Sequence, residues 1–418
     1  MHINSATIPI SPNESVELAG YRPYRGDQTT MECLSPLEAN AIYLHDGHQP
    51  RLLISFDLIW LSEEFVSHIK KWVFDTYSIP EEAVLLTATH THSGPNILTR
   101  APFYGKINER YVSYLSDQTQ ALIQQVMGET HDSHITAHKY PSADLPVVNR
   151  ITFGFSPLRL RKTCFSAPNP GRYSEEPIRI LYFGDATGTS DPHTIIISMA
   201  CHPVFYKGNQ CTPDYPASLR SYFRHIYGSD IPVLFLQGFA GDLRPHYPDH
   251  SIKNRIRNTL LKGRFKPDFE KEASHRESQF VQSFENIIEN TPPEVIEPAS
   301  GKSTVYNSQK LPVWNSKPET PELTIQRWDL TGSVSLIAAN AEVFSSYSRE
   351  LQQAARQSGR TIIPVGYANG MLGYLPDQDV LKLQCGYEYK SWHKFGLPGP
   401  FPYQTARQFS ISLAGMFS

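Results

Sequence analysis

The sequence predicts an α/β fold: a mixed, mainly parallel central sheet with helices on both faces and a metal site at the C-terminal ends of its strands. Three observations predict it. Short, continuous apolar runs recur along the chain and read as buried strands. The first two are separated by a stretch with helical apolar spacing, which makes a β-α-β unit and argues for parallel pairing. The runs end on polar residues that carry chemistry, and in open α/β sheets ligands gather beyond the carboxyl ends of strands.

Arg51 to Asp57 is the first clear run and ends on a carboxylate. Ser62 then reads as an N-cap with Glu63 and Glu64 in the first turn, where the helix dipole favours them. Phe65, Ile69, Trp72 and Val73 recur at helical spacing, with Lys70 and Lys71 facing away. Ala83 to Ala88 is the second run. A further helix is expected from Asn108 to about Met127, with Tyr111, Leu115, Leu122 and Val126 on its buried side. Three more runs precede Cys201-His202-Pro203, Gly238 to Asp242 and Asn340-Ala341-Glu342, and a last one precedes Ala368-Asn369-Gly370. Five strands thus deliver polar residues to one expected rim. The stretch from Cys164 to Glu176 reads as a surface loop, Lys253 to Asn290 as charged and mostly helical, Thr291 to Pro298 as a connector, and Gly396 to Pro402 as another loop.

Composition narrows the function classes. The chain has 418 residues, 40% of them hydrophobic and 19% charged, with a formal net charge of -3, which is ordinary for a globular protein and gives no basic stripe for nucleic acid. The 22 Tyr and 21 Phe read as core or pocket lining. Five cysteines are scattered with no Cys-x-x-Cys pair, so they are expected to be mostly reduced and buried. The first residues lack the pattern of a secretory signal, and no run approaches the ~20 apolar residues of a membrane span. The expectation is a cytoplasmic protein without integral membrane association.

The most informative stretch is Thr89-His90-Thr91-His92-Ser93-Gly94-Pro95. Residues i and i+2 of a strand share a side, so His90 and His92 can address one site. His90, His202 and Glu342 are two imidazoles and a carboxylate, each just past a strand. With an open position, that set is usual for catalytic zinc, where the metal acidifies water and polarises a carbonyl; non-haem iron accepts the same set. His92 could donate to a developing oxyanion. Plainer roles stand beside these: His202 capping a strand end, and Glu342 at a helix N-terminus. Asp242 can orient an imidazole or close its own turn. The loop from Gly238 is not a P-loop, because no Gly-Lys-Ser/Thr follows.

These motifs, in this order, resemble the catalytic domain of the neutral/alkaline ceramidase family. Beyond the His90 motif, the resemblance covers Ala6 to Ile10, Leu18 to Tyr21, Val148-Asn149-Arg150, Ala200 to Val204, Pro213 to Pro216, Gly241 to Pro245, Glu342 and Tyr367 to Tyr374. It implies zinc held by His90, His202, Glu342 and a tyrosine; Tyr374, in its Gly-Tyr-Leu-Pro context, is the choice, and Tyr367 competes. It implies a zinc-dependent amidohydrolase that cleaves a linear amide of the N-acyl amine type by metal-activated water. His92, Arg150, Asp242 and Arg244 are then the catalytic candidates, and Asn149, Tyr367 and Asn369 the substrate-binding ones. Two departures bear on substrate. Arg244 stands at the serine place of the family's Gly-Asp-Val-Ser-Pro-Asn loop, and His246 follows Pro245 where the family has Asn. The chain also stops where the family's immunoglobulin-like domain would begin. The expectation is one catalytic domain over 1–418 with a small-molecule amide substrate, acidic or lipid-like. Rival readings are an esterase or an iron-dependent enzyme of a specialised biosynthetic pathway on the same site, and a non-catalytic binding relative.

Overall fold

The computed structural model describes residues 1–21, 29–47, 49–156, 161–185, 191–246, 272–296, 306–314 and 322–416. The six strands that matter most are β1 (Pro50–Phe56), β2 (Val84–Ala88), β3 (Thr194–Met199), β4 (Val233–Gln237), β5 (Val334–Ala339) and β6 (Thr361–Val365). They form three parallel pairs, β1 with β2, β3 with β4 and β5 with β6. The apolar runs read from the sequence are these strands.

Among the described residues, the expected mainly parallel central sheet is replaced by several smaller, mixed or antiparallel sheets. Each parallel pair lies at one end of its own sheet, and every other ladder in those three sheets is antiparallel. The first sheet continues from β1 through Glu38–His45, His2–Pro9 and His131–Asp132. The second continues from β3 through Ile178–Gly184, His134–Tyr140 and Glu294–Ile296. The third continues from β5 through Leu323–Asp329 to Tyr306–Leu311. The physical reason is connectivity: a parallel partner needs a long crossover, whereas neighbouring strands in sequence pair antiparallel through short turns.

The layers also differ from a sheet with helices on both faces. The three sheets pack against one another through inner faces carrying Leu53, Leu85, Ile196, Leu236, Leu336 and Ile363. Helices cover the outer faces. α1 (Glu63–Tyr77) and α2 (Glu109–Val126) lie over the first sheet, with Phe65, Ile69, Leu115 and Leu122 buried. α3 (Tyr215–Tyr227) and α4 (Ala273–Asn290) cover the second through Leu219, Phe223, Phe280 and Phe284. α5 (Ser345–Ser358) and α6 (Tyr403–Gly415) cover the third through Tyr347, Leu351, Phe409 and Leu413. The Ser62 hydroxyl accepts from the Phe65 amide, and the Asn108 side chain from those of Arg110 and Tyr111, so both expected caps are in place.

Three smaller expectations change. Cys164 to Asn169 is not loop: it belongs to the strand Arg161–Asn169, paired with Val147–Ser156. Within the expected connector, Glu294–Ile296 is a strand, while 297–298 lie outside the described residues, as do 253–271 of the expected helical segment. Four cysteines are not reduced: Cys33 joins Cys211 and Cys164 joins Cys385, leaving Cys201 free and buried. The partners are separated by 178 and 221 residues, so no local spacing advertises them. Among the described residues, no helix is long and apolar enough to cross a membrane.

Candidate metal and catalytic centre

The ends of β2, β4 and β6 are stitched together. The Gly366 amide donates to the Gln237 carbonyl, the Ala88 amide to Tyr367 and the Asn369 amide to Leu86. The loops that follow these strands therefore open on one place, and the sequence candidates arrive there from several sheets.

His90 does not reach the site by strand alternation. β2 ends at Ala88, and His90 has φ 67°, a left-handed conformation that non-glycine residues seldom hold. Its amide donates to Leu58, and its ring lies 3.9 Å from the Tyr367 ring in a stacked arrangement. Its Nδ1 sits 2.7 Å from the Ile59 carbonyl. His202 Nδ1 sits 2.8 Å from the Leu243 carbonyl. A carbonyl can only accept, so both rings carry their proton on Nδ1 and turn an Nε2 lone pair inward. This is the outer support that metal-ligating histidines ordinarily have.

The inward atoms meet. Glu342 Oε1 is 2.7 Å from His202 Nε2 and 3.4 Å from His90 Nε2, and His92 Nε2 is 3.2 Å from His90 Nε2. The inward nitrogens of His90, His92 and His202 fall within 4.8 Å of one another. Lone pairs and a carboxylate facing one point repel unless a cation sits between them. The donor set therefore fits a metal such as zinc, and it brings in His92 beside the expected ligands. Burial and then the Arg150 charge push His202 down to about 4. Burial, His90 and His202 hold His92 well below the usual imidazole range. Burial raises Glu342, but the two histidines outweigh it and hold the carboxyl well below the carboxylate range. All three favour the deprotonated forms that metals bind.

The two tyrosines separate. Tyr374 pairs with Glu342 across a short parallel bridge, which puts their side chains on one face, and the Glu342 amide donates to Gly373. Its hydroxyl accepts from Arg150 at 3.2 Å. Tyr367 presents its ring face to His90, and its hydroxyl is buried without a hydrogen-bond partner. Arg150 also donates to the Gly241 carbonyl at 2.8 Å and pairs with Glu388 at 3.1 Å.

Three other candidates hold the scaffold. Asp242 touches no imidazole and does not merely close its own turn. One oxygen accepts from the Ser345 amide at the start of α5, and the other from Asn149 at 2.5 Å. The imidazole protons it was expected to receive go to the Ile59 and Leu243 carbonyls instead. Asn149 spends its amide on Asp242, the Tyr173 carbonyl and the Ile151 amide. Asn369 accepts from Leu86 and donates to Gln326, tying β2 to the third sheet. Arg244 is half-buried on the short strand Leu243–Pro245, one residue beyond the carbonyl that fixes His202.

Two glycines shape the site, and the sequence placed them in matched stretches without showing which side chains they make room for. Gly20, at φ 101°, leaves room for His92: a β-carbon there would stand 2.8 Å from Nδ1. Gly241 lies under Glu342, where a β-carbon would stand 2.7 Å from its carbonyl oxygen. The Leu18-Ala19-Gly20-Tyr21 stretch was the available signal for the first. Tyr21 leans on His92 at 5.2 Å.

No family model matches the chain, and no curated protein matches its sequence. Solved structures do. Neutral ceramidase from Pseudomonas aeruginosa superposes with a TM-score of 0.68 at 17% identity, over 99% of this chain and 73% of the other. A structure described as ceramidase complexed with C2 gives 0.70 at 16% identity, over 99% and 74%. The chain has the fold of neutral ceramidase along almost its whole length.

Proposed function

From the neutral-ceramidase fold as premise, we propose that this protein is a zinc-dependent amidohydrolase that cleaves a linear amide of the N-acyl amine type. The observation that carries the reading is the inward meeting of His90 Nε2, His202 Nε2 and Glu342 Oε1, with both Nδ1 atoms committed to carbonyls. His90, His202, Glu342 and Tyr374 would hold the metal. When bound, zinc supplies a Lewis acid that acidifies water and polarises an amide carbonyl.

The protein's own groups supply the rest. His92, neutral through burial, can take a proton at Nε2 and pass it to the departing amine. Arg150 fixes the Tyr374 hydroxyl and keeps positive charge beside the carbonyl oxygen as it becomes anionic. Asp242 and Asn149 act at a distance, by holding the strand that carries Arg150 and the start of α5. Residues 1–418 act as one catalytic domain in this reading, because the three sheets share one core. The working compartment is an oxidising one rather than the cytoplasm, since four of the five cysteines are paired.

The test is metal analysis with turnover of an N-acyl amine. The expected result is about one zinc per chain, with metal and activity both lost in His90→Ala and His202→Ala. Tyr374→Phe is expected to weaken metal binding and Tyr367→Phe to leave it in place. Absence of stoichiometric transition metal, or full activity in both histidine variants, overturns the reading. Activity restored by Fe(II) alone replaces zinc with iron.

A further inference from the structure

The outer face of the second sheet is covered by α3 and α4 only in part. Its strands His134–Tyr140 and Ile178–Gly184 pair antiparallel, with Tyr182 opposite Thr136. Ile135 and Ala137 face the shared core, so Thr136, His138 and Tyr140 face outward, together with Tyr182. The last turns of α3 carry Tyr222, Phe223 and Tyr227 to the same place. Between sheet and helix lies a cavity of about 450 Å³, an ordinary size for a small-molecule site. It adjoins Asp191 and Pro192, just ahead of β3, whereas His202 follows the other end of that strand. The cavity is thus separate from the catalytic centre.

Its aromatic rings form a corner. Tyr182 stands at 72° to Phe223 and 71° to Tyr227, with centroids 6.3 and 6.2 Å away. The Phe223 and Tyr227 rings are parallel within 5° at 6.4 Å. His138 adds a fourth ring, 5.0 Å from Tyr182. The hydroxyls are largely committed. Tyr182 donates to Tyr140, whose oxygen lies 3.4 Å from His138 Nδ1, and Tyr222 donates to Glu289 at 3.3 Å. The lining therefore offers ring faces more than hydrogen bonds.

The charge around the cavity suits a cation. Among the described residues, no Lys or Arg lines it. Burial lowers His138, which leaves it neutral near pH 7. Burial and then the Asp191 carboxylate raise the Tyr227 hydroxyl, so Asp191 acts at that ring. Arg224, from the same turn of α3, is drawn away to Glu38 at 2.8 Å. Aromatic faces attract cations through their negative quadrupole. A primary ammonium would leave N–H donors unsatisfied among these rings, whereas a quaternary one has none to satisfy.

We propose that this cavity is a binding site for a quaternary ammonium group, the trimethylammonium of a choline-type ligand, held by the Tyr182, Phe223 and Tyr227 rings with Asp191 at its edge. The site is independent of the amide-hydrolase reading.

The experiment is calorimetric titration of the whole protein with choline chloride and with 3,3-dimethylbutan-1-ol, its uncharged carbon isostere. Choline is expected to bind saturably, and the isostere about tenfold or more weaker. Tyr227→Leu is expected to weaken choline about tenfold, and Asp191→Asn, at an exposed position, about threefold. No saturable choline binding, equal binding of the isostere, or affinity kept in either variant overturns the inference. Flotation with phosphatidylcholine and phosphatidylglycerol vesicles then names the source of the group. Capture by phosphatidylcholine alone, lost in Tyr227→Leu, supports the site with a lipid headgroup as its ligand; choline binding without vesicle capture supports it with a soluble one.

Discussion

Single residues decide how the centre is built, and the sequence exposed only some of them. The convergence of His90, His202 and Glu342 was legible because each follows an unbroken apolar strand. Asp242 and Asn369 carry the same polar chemistry and lie as near those ends, and Asn149 sits on a strand beside them, yet all three satisfy backbone groups and other side chains. Nothing in their local spacing tells a ligand from a tie, because the partners are remote: Asn149 meets Asp242 across 93 residues. Gly20 is the sharper case. Its conformation and the 2.8 Å approach to His92 leave no room for a side chain. If His92 acts as proposed, Gly20→Ala is expected to keep the metal and cut turnover about 10- to 100-fold, as small displacements of a catalytic group do. Metal content and kcat measured on one preparation check it. Loss of metal together with activity would instead make His92 a ligand, an assignment its 3.2 Å approach to His90 also allows.

At the level of elements, strands buried on both faces read clearly and their neighbours did not. β3 and β5 are buried at every position, so their sequences are continuous apolar runs. His134–Tyr140 carries buried residues only at intervals, and Tyr306–Leu311 is largely exposed. Polar edges of this kind went unread, as did the interior antiparallel strands Glu38–His45, Ile178–Gly184 and Leu323–Asp329, and with them the true architecture. α5 shows what a missed cap hides. It starts after Phe344, which makes no side-chain cap, and Asp242 from a distant loop accepts the Ser345 amide instead. Asp242→Ala is expected to destabilise the protein by about 1–3 kcal/mol, since it removes a helix cap and strands the Asn149 amide. A denaturant midpoint lowered with unchanged slope is the expected observation. A midpoint equal to that of the unsubstituted protein would mean that water replaces the carboxylate at no cost.

Over the whole molecule, two cross-links tie distant parts. Cys33–Cys211 joins the segment beside Gly20 to the loop after His202, where the Thr91 hydroxyl also donates to Thr212. Cys164–Cys385 joins the small antiparallel sheet to the segment beside Glu388. Both therefore tie segments that adjoin the candidate centre in sequence, after His202 and before Glu388. Alkylation in denaturant without reductant is expected to label Cys201 alone, and all five cysteines after reduction. Loss of either bridge is expected to cost about 2–5 kcal/mol and to lower Tm. Labelling of all five without reductant would return the protein to a reducing compartment.

The stitching of strand ends also sets an order of events at the ribosome. Leu86 meets Asn369 across 283 residues, a stretch that takes about 15–60 s to synthesise at roughly 5–20 residues per second. His90 and His92 emerge long before Glu342 and Tyr374 exist. On the proposed ligand set, a metal captured early would have His90 alone and would leave again, whereas lasting occupancy has to wait until Glu342 and Tyr374 have emerged. Retained metal would then mark a nascent chain that has been made at least as far as Tyr374.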